Sequence, residues 1–406
     1  MRTLLTIVCL TIPAITFAQL PVIRSNSKTV SVRDGNQFMK NTWTLSPEIK
    51  PDTYFSAFPK KNSTVSFITD IDSISFNTTY GKTYDFVILN GTDSCYTRIS
   101  ANYNGVYTPQ SKSGTDTIPF TMRKSRIYFE GQINGRNNIS IQFDLGAGTS
   151  CVNVHSIKKT AVIFDGKTNV TNTNGTNEEP TSSNNTLVIG KLKWEQIPVV
   201  QVRNMENDED LIIGNSLFET KVIEIDYDKK IMIISDQLNH SPEGYSKHEV
   251  ILEQHRPKIM ATVHVNGNPY TDWSLFDTGR DGTMRIGGAF TDKYHLWNQY
   301  KTIFPMGNKK VVVIPEVNVG GLTFKEVVTN AVRSGQTSLL GNELLNHFNV
   351  ILDNPNGMIY LKPNKLENKT YAIYTRLKYY LAGIVTLIIL LFLLIRKVWK
   401  RIKLRR

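Results

Sequence analysis

Apolar and polar residues alternate in short runs along most of this chain. Val65-Ser66-Phe67-Ile68, Ser73-Ile74-Ser75-Phe76 and Tyr84-Asp85-Phe86-Val87-Ile88 carry the period of two that half-buried strands require. Asp34-Gly35, Asn90-Gly91 and Asn104-Gly105 stand between such runs as turns. Residues 20–110 therefore predict a small antiparallel β-sandwich. No catalytic motif falls within it, and packing against or presenting the rest of the chain is the plain expectation. A stretch containing Ser, Thr, Pro and Gly, residues 108–118, reads as a linker.

Beyond residue 125 the pattern repeats. The run Ile127-Tyr128-Phe129-Glu130-Gly131-Gln132-Ile133-Asn134-Gly135 leads to Phe143-Asp144-Leu145-Gly146, and Ile259-Met260-Ala261-Thr262-Val263-His264-Val265-Asn266-Gly267 leads to Phe276-Asp277-Thr278-Gly279. Val188-Ile189-Gly190 returns as Asn318-Val319-Gly320, Ile212-Ile213-Gly214-Asn215 as Leu339-Leu340-Gly341-Asn342, and Ile223-Glu224-Ile225-Asp226 as Val350-Ile351-Leu352-Asp353. These landmarks keep one order and similar spacing (144 to 277, 190 to 320, 214 to 341, 226 to 353), which marks an internal duplication. The halves span 125–237 and 240–363. In each, a carboxylate sits on a sharp turn just after an apolar strand. One aspartate before glycine reads as a turn cap; two in register in a duplicated frame point to a shared site.

An apolar run, Asp-Thr-Gly, and a later apolar-apolar-Gly after which the chain returns to a strand resembles the two-lobed aspartic proteases of the pepsin and retropepsin group, over residues 125–365. The resemblance implies two duplicated acid-protease-like β lobes, which with the N-terminal sandwich make the expected fold all-β, with one C-terminal transmembrane helix outside them. It implies Asp144 and Asp277 as the catalytic pair, sharing one proton because like charges so close raise one carboxyl strongly. The ionised member takes a proton from water while the other donates to the scissile carbonyl. Gly146 and Gly279 permit the tight turn and close approach. Gly214 and Gly341 are expected where the returning strand passes beneath each aspartate loop with no room for a side chain. Both lobes lie in one chain, so a homodimer is not required.

The second half reads Asp277-Thr278-Gly279; the first departs, with Leu145 where the family uses Thr or Ser to bond across to the opposite lobe. Arg280 stands where the family has a small residue. Its guanidinium modulates the site in one of three ways: touching the dyad and holding both carboxylates ionised, pairing with adjacent Asp281, or facing the cleft toward acidic substrate groups. For residues 167–186, nearly free of apolar side chains, two readings stand. One is a hairpin tipped at Asn174-Gly175 in the position of the family's flap, without its tyrosine; the other is a disordered surface loop. The second half has a comparable hairpin around Met306-Gly307-Asn308-Lys309. The expected function is a membrane-anchored aspartic endopeptidase acting on peptides or proteins. The alternative is a catalytically silent pseudoprotease that binds peptides or scaffolds a complex outside the cytoplasmic membrane.

The chain's ends set its expected location. Residues 1–18 have Arg2, an apolar core and Thr16-Phe17-Ala18, the pattern of a secretory signal peptide. Residues 379–395 are uncharged and just long enough to cross a bilayer, with Tyr379, Tyr380 and Trp399 placed for its interfaces. The tail 396–406 carries seven basic residues and no acid, which predicts a cytoplasmic tail against anionic lipid and everything before the span outside. Of the formal +12, those seven and Arg2 account for eight, so about four charges remain on the body. That surplus implies no nucleic-acid partner. An oxidising compartment permits Cys95 and Cys151 to pair, although they fall in different units. Cys151 and His155 read as strand residues rather than a nucleophilic pair. The histidines form no HExxH, and no serine elbow or phosphate loop occurs. Glu206-Asn207-Asp208-Glu209-Asp210 and Asp226-Tyr227-Asp228 lack calcium-loop spacing and read as solvated acidic turns. No metal or other cofactor is expected.

Overall fold

The computed structural model describes residues 20–35, 37–56, 63–79, 82–101, 109, 114–172, 175–333, 336–365 and 373–403. The expected signal peptide, the Asn104-Gly105 turn and positions 108 and 110–113 of the linker lie outside them. The protein is all-β apart from short helical turns and one long C-terminal helix.

The alternation in the N-terminal region puts Val30, Val32, Val65, Phe67, Phe86, Ile88 and Ile99 into one core between two four-stranded sheets. Trp43 and Tyr54 meet Phe67 edge-on at 5.7 Å each, and Phe67 meets Phe86 at 5.0 Å. Gly35 and Gly91 take positive φ at the two described turns, 55° and 62°. The sequence predicts an antiparallel sandwich, but two of its pairings are parallel. Val22–Ser25 runs parallel to Thr83–Asn90, and Asp52–Phe55 parallel to Asp93–Ser100. Both are edge strands, each separated along the chain from its parallel partner by strands of the other sheet, a crossover that local periodicity cannot reveal.

The two halves then fold into eight-stranded sheets of identical order. In the first the order is Thr121–Arg123, Arg126–Ile133, Arg136–Phe143, Leu211–Ile213, Ser150–Asn153, Leu192–Val202, Gly175–Ile189, Gly166–Asn172. In the second it is Ile251–Glu253, Arg256–Val265, Asn268–Phe276, Leu339–Leu340, Met284–Ile286, Leu322–Val332, Lys309–Val319, Lys301–Met306. Each sheet also closes on itself, Arg126–Ile133 meeting Gly175–Ile189 and Arg256–Val265 meeting Lys309–Val319. The leading hairpins turn at Asn134-Gly135 and Asn266-Gly267, all four residues at positive φ, the geometry that matches strand twist.

A six-stranded sheet joins the halves, in the order Ser246–Glu249, Met358–Pro363, Phe348–Asp353, Val222–Asp226, Ile231–Ser235, Asp116–Pro119. At its centre Ile223 faces Leu352, Glu224 faces Ile351 and Ile225 faces Val350. A shift of 127 positions carries the first pair onto the third and the middle pair onto itself. The duplication is therefore a local two-fold axis passing between Glu224 and Ile351. Asp116–Pro119, expected within the linker, is this sheet's edge strand, paired with Ile231–Ser235. Ile118 and Phe120 are buried there; two apolar residues are too few to show a period.

The C-terminal helix, Ile373–Lys403, has 31 residues, roughly 46 Å at 1.5 Å per residue. Tyr380–Lys397 within it is apolar, unburied by the rest of the protein, and long enough to cross a membrane.

Candidate active site

The strand Arg136–Phe143 lies parallel to Leu211–Ile213, and Asp144 N–H donates to Ile213 O at 2.9 Å as the chain turns off the sheet. In the second lobe Asp277 N–H donates to Leu340 O at 3.1 Å. Gly214 and Gly341 follow these returning strands directly. A methyl on Gly214 would overlap Ala147 O, and one on Gly341 would overlap Gly282 O. The returning backbone passes against each aspartate loop, which leaves glycine as the residue that fits. Gly214→Ala is expected to cost about 1–3 kcal/mol. A thermal melt unchanged from wild type would contradict this packing. Beneath the first loop Phe143 and Trp194 each pack edge-on against Phe218, and Trp194 Nε1 donates to Leu217 O at 3.0 Å.

The structure brings Asp144 and Asp277 together across the two-fold. Asp144 Oδ1 accepts from Gly146 N–H at 2.6 Å, and Asp277 Oδ1 from Gly279 N–H at 3.1 Å. A methyl on Gly146 would overlap the Asp277 carboxylate, and one on Gly279 the Asp144 carboxylate. Each carboxylate thus lies against the opposite loop's glycine. Thr278, fully buried, reaches across the lobes: its Oγ1 accepts from Leu145 N–H at 2.8 Å and donates to Phe143 O at 3.2 Å. Leu145 returns no such bond and is buried in the apolar core. Asn342 Nδ2 instead holds Thr278 O at 2.7 Å. Thr278→Val leaves a buried N–H and a buried carbonyl without their partner, an expected loss of about 1–3 kcal/mol, read as a fall in denaturant midpoint. An unshifted midpoint would show that the bond contributes nothing.

Burial pushes Asp144 up to about 8, the charge of Asp277 adding to the effect against the N–H groups of Gly146 and Gly279 and the charge of Arg126. Burial also raises Asp277, opposed first by Arg280, then by Gly279 N–H, Arg285 and Arg256. Both carboxyls are thus held above their ordinary value, which biases the pair toward one shared proton. Burial, with the charge of Asp144, pushes the Cys151 thiol up to about 12, so it stays protonated. Cys95 and Cys151 are both free. His155 lies in the short helical turn Val154–Ser156 rather than in a strand, because Asn153 caps that turn through His155 N–H at 3.1 Å.

Of the three fates open to Arg280, pairing with Asp281 is not adopted. Asp281 is taken by the other lobe, by Arg126 Nη2 at 2.8 Å and by the backbone and hydroxyl of Ser125. Among the described residues the Arg280 side chain makes no hydrogen bond or ion pair, with either aspartate or any other group, and its Nε is buried without an acceptor.

Residues 166–189 form a hairpin, Gly166–Asn172 against Gly175–Ile189, with positions 173–174 outside the described residues. Of the two readings the hairpin holds; polar composition left it open because the backbone ladder, not apolar burial, holds an outer strand pair, and Lys167 and Glu178 pair across it at 2.9 Å. The counterpart hairpin, Lys301–Met306 against Lys309–Val319, turns at Gly307 with φ 62°. The acidic clusters are not simply solvated. Glu209 and Asp210 are 2% and 4% exposed. Glu209 receives Arg126 Nη1 at 2.9 Å and the Tyr128 hydroxyl, while Asp210 receives Ser156 Oγ at 2.7 Å, Ser140 N–H at 2.8 Å and Lys159. Asp226 is also buried, bound by Lys229 through N–H at 2.9 Å and Nζ at 2.8 Å. Among the described residues no cluster of His, Cys, Asp and Glu suits a metal ion.

Two residues of the site escaped notice in the sequence, Arg126 and Arg256, each the first residue of its lobe's leading strand. The signal was there, an arginine just after the tight turn in both halves. These turns clasp the opposite lobe reciprocally. Asn346 Nδ2 donates to Ser125 O at 2.9 Å, and Asn215 Nδ2 to His255 O at 3.0 Å. Buried His255 also meets Glu219, Nδ1 to Oε1, at 2.8 Å. The chain matches no protein-family model and no curated protein.

Proposed function

We propose that this protein is a membrane-anchored aspartic endopeptidase that hydrolyses peptide bonds with water activated between Asp144 and Asp277. The observation carrying this is the meeting of two half-buried carboxylates, each lying against the other loop's glycine. Asp144, which carries no arginine on its own loop, is assigned as the acid that donates to the scissile carbonyl. Asp277, beside Arg280, Arg285 and Arg256, is the base that takes a proton from water. One chain supplies both groups, so a second copy is not needed. The basic tail 396–406 lies on the cytoplasmic side against anionic lipid, and the lobes and sandwich lie outside.

A second reading, a silent cleft that binds peptides or scaffolds a complex, is favoured by Leu145, which lacks the reciprocal hydroxyl. Digestion of a peptide library by the full chain in detergent, from mildly acidic to neutral pH, separates the two. Cleavage is expected. Binding without cleavage at every pH supports the silent cleft and removes the proteolytic reading.

A further inference from the structure

The two sides of the dyad are charged differently. On the first-lobe side Arg126 is neutralised twice, by Glu209 at 2.9 Å and Asp281 at 2.8 Å. On the second-lobe side the arginines outnumber their partners. Arg256 is tied to Glu253 at 3.0 Å, but Glu253 also holds Lys258 at 2.8 Å. Arg256 reaches the opposite aspartate loop, its Cδ 3.9 Å from where a Gly148 Cβ would stand. Arg285, on Met284–Ile286, donates from Nε and Nη2 to Thr337 O at 3.3 and 3.1 Å and, among the described residues, to no carboxylate. Arg280, three residues after Asp277 on the same loop, has no side-chain partner among the described residues.

A guanidinium partly withdrawn from water with no carboxylate to meet it is costly, and an anion supplied from outside relieves that cost. Arginine's planar fork suits a carboxylate best. We infer that Arg280 and Arg285 form a carboxylate-binding subsite on the second-lobe side of the dyad, so that the peptide is held and cut beside an acidic group. Burial, with Arg280 and Arg256 nearby, lowers Arg285 to about 10, as expected where cations crowd without enough acid. Arg285 pairs with Leu339, which pairs in turn with Leu275, two residues before Asp277, and Arg280 lies on the Asp277 loop itself, so both stand beside the reacting groups. The inference rests on the proteolytic reading for the cutting, and on the arginines alone for the binding.

The test measures binding to the full-length Asp144→Asn protein in detergent micelles, using peptides that differ only by Glu or Gln at each position in turn. Glu at one position is expected to bind about tenfold tighter than Gln, the scale of one or two charge-assisted hydrogen bonds. Arg280→Gln and Arg285→Gln, made in the same background, are each expected to erase that difference while the Gln peptides bind as before. A second pair, free C-terminal acid against C-terminal amide, distinguishes a terminal carboxylate from an internal side chain as the anion. Equal binding within every pair, or binding of none, overturns the subsite, and this comparison needs no arginine variant to fold. Cleavage by wild type is scored separately. Strong cleavage without acidic preference removes the subsite and leaves proteolysis standing; acidic preference in binding without cleavage does the reverse.

Discussion

Asp144→Asn and Asp277→Asn should each lower kcat/KM for the best-cleaved library peptide by about 10³–10⁴-fold, with the double variant little worse than either. The reason is geometric. Asparagine matches aspartate in shape and keeps an oxygen to accept from Gly146 or Gly279 N–H, at 2.6 and 3.1 Å in the wild type. The loops therefore keep their form while one half of the proton exchange disappears. A dyad acts as a unit, so removing one member removes nearly all the function and removing both adds little. Retention of activity within about tenfold of wild type by either variant would take that residue out of the chemistry, since a residue acting in concert contributes far more.

Stability should respond to the same substitutions in a pH-dependent way. Burial raises both aspartates above their ordinary value of 3.8, Asp144 to about 8. A carboxyl raised on folding contributes fully below its unfolded pKa, and that contribution is lost as pH rises through the folded value. For Asp144 the window is therefore about pH 4 to 8. Asn cannot ionise, so Asp144→Asn should melt near the wild-type temperature at pH 4 and above it at pH 8. A pKa unit corresponds to about 1.4 kcal/mol. A gain of about 2 kcal/mol or more is expected at pH 8, roughly 4–8 °C for a body of this size. Parallel melting curves across that window would mean the carboxyls are neither buried nor mutually repelled in solution.

Both predictions depend on features of different legibility. Hairpin turns such as Asn134-Gly135 and Asn266-Gly267 are visible in sequence because positive φ is a local demand on residue type. Gly214 and Gly341 were visible because each repeats after an apolar pair. The hairpin 166–189 was only half visible, since an outer strand pair needs no apolar face to keep its ladder. The burial of Glu209 was not visible, because Arg126 and Tyr128, 83 and 81 positions away, are what make it tolerable.

The amino-acid order alone determined the duplication, the all-β class, the aspartate turns and the apolar C-terminal segment, because period, turn chemistry and length act over a few residues at a time. The folded chain decided which charges meet. Asp281 went to Ser125 and Arg126, 156 and 155 positions distant, and not to its neighbour Arg280. That choice leaves Arg280 without a side-chain partner among the described residues, beside Asp277, and makes the two sides of the cleft electrically unequal. Such assignments depend on two-fold closure of the lobes, which brings together groups whose separation along the chain carries no signal of their contact.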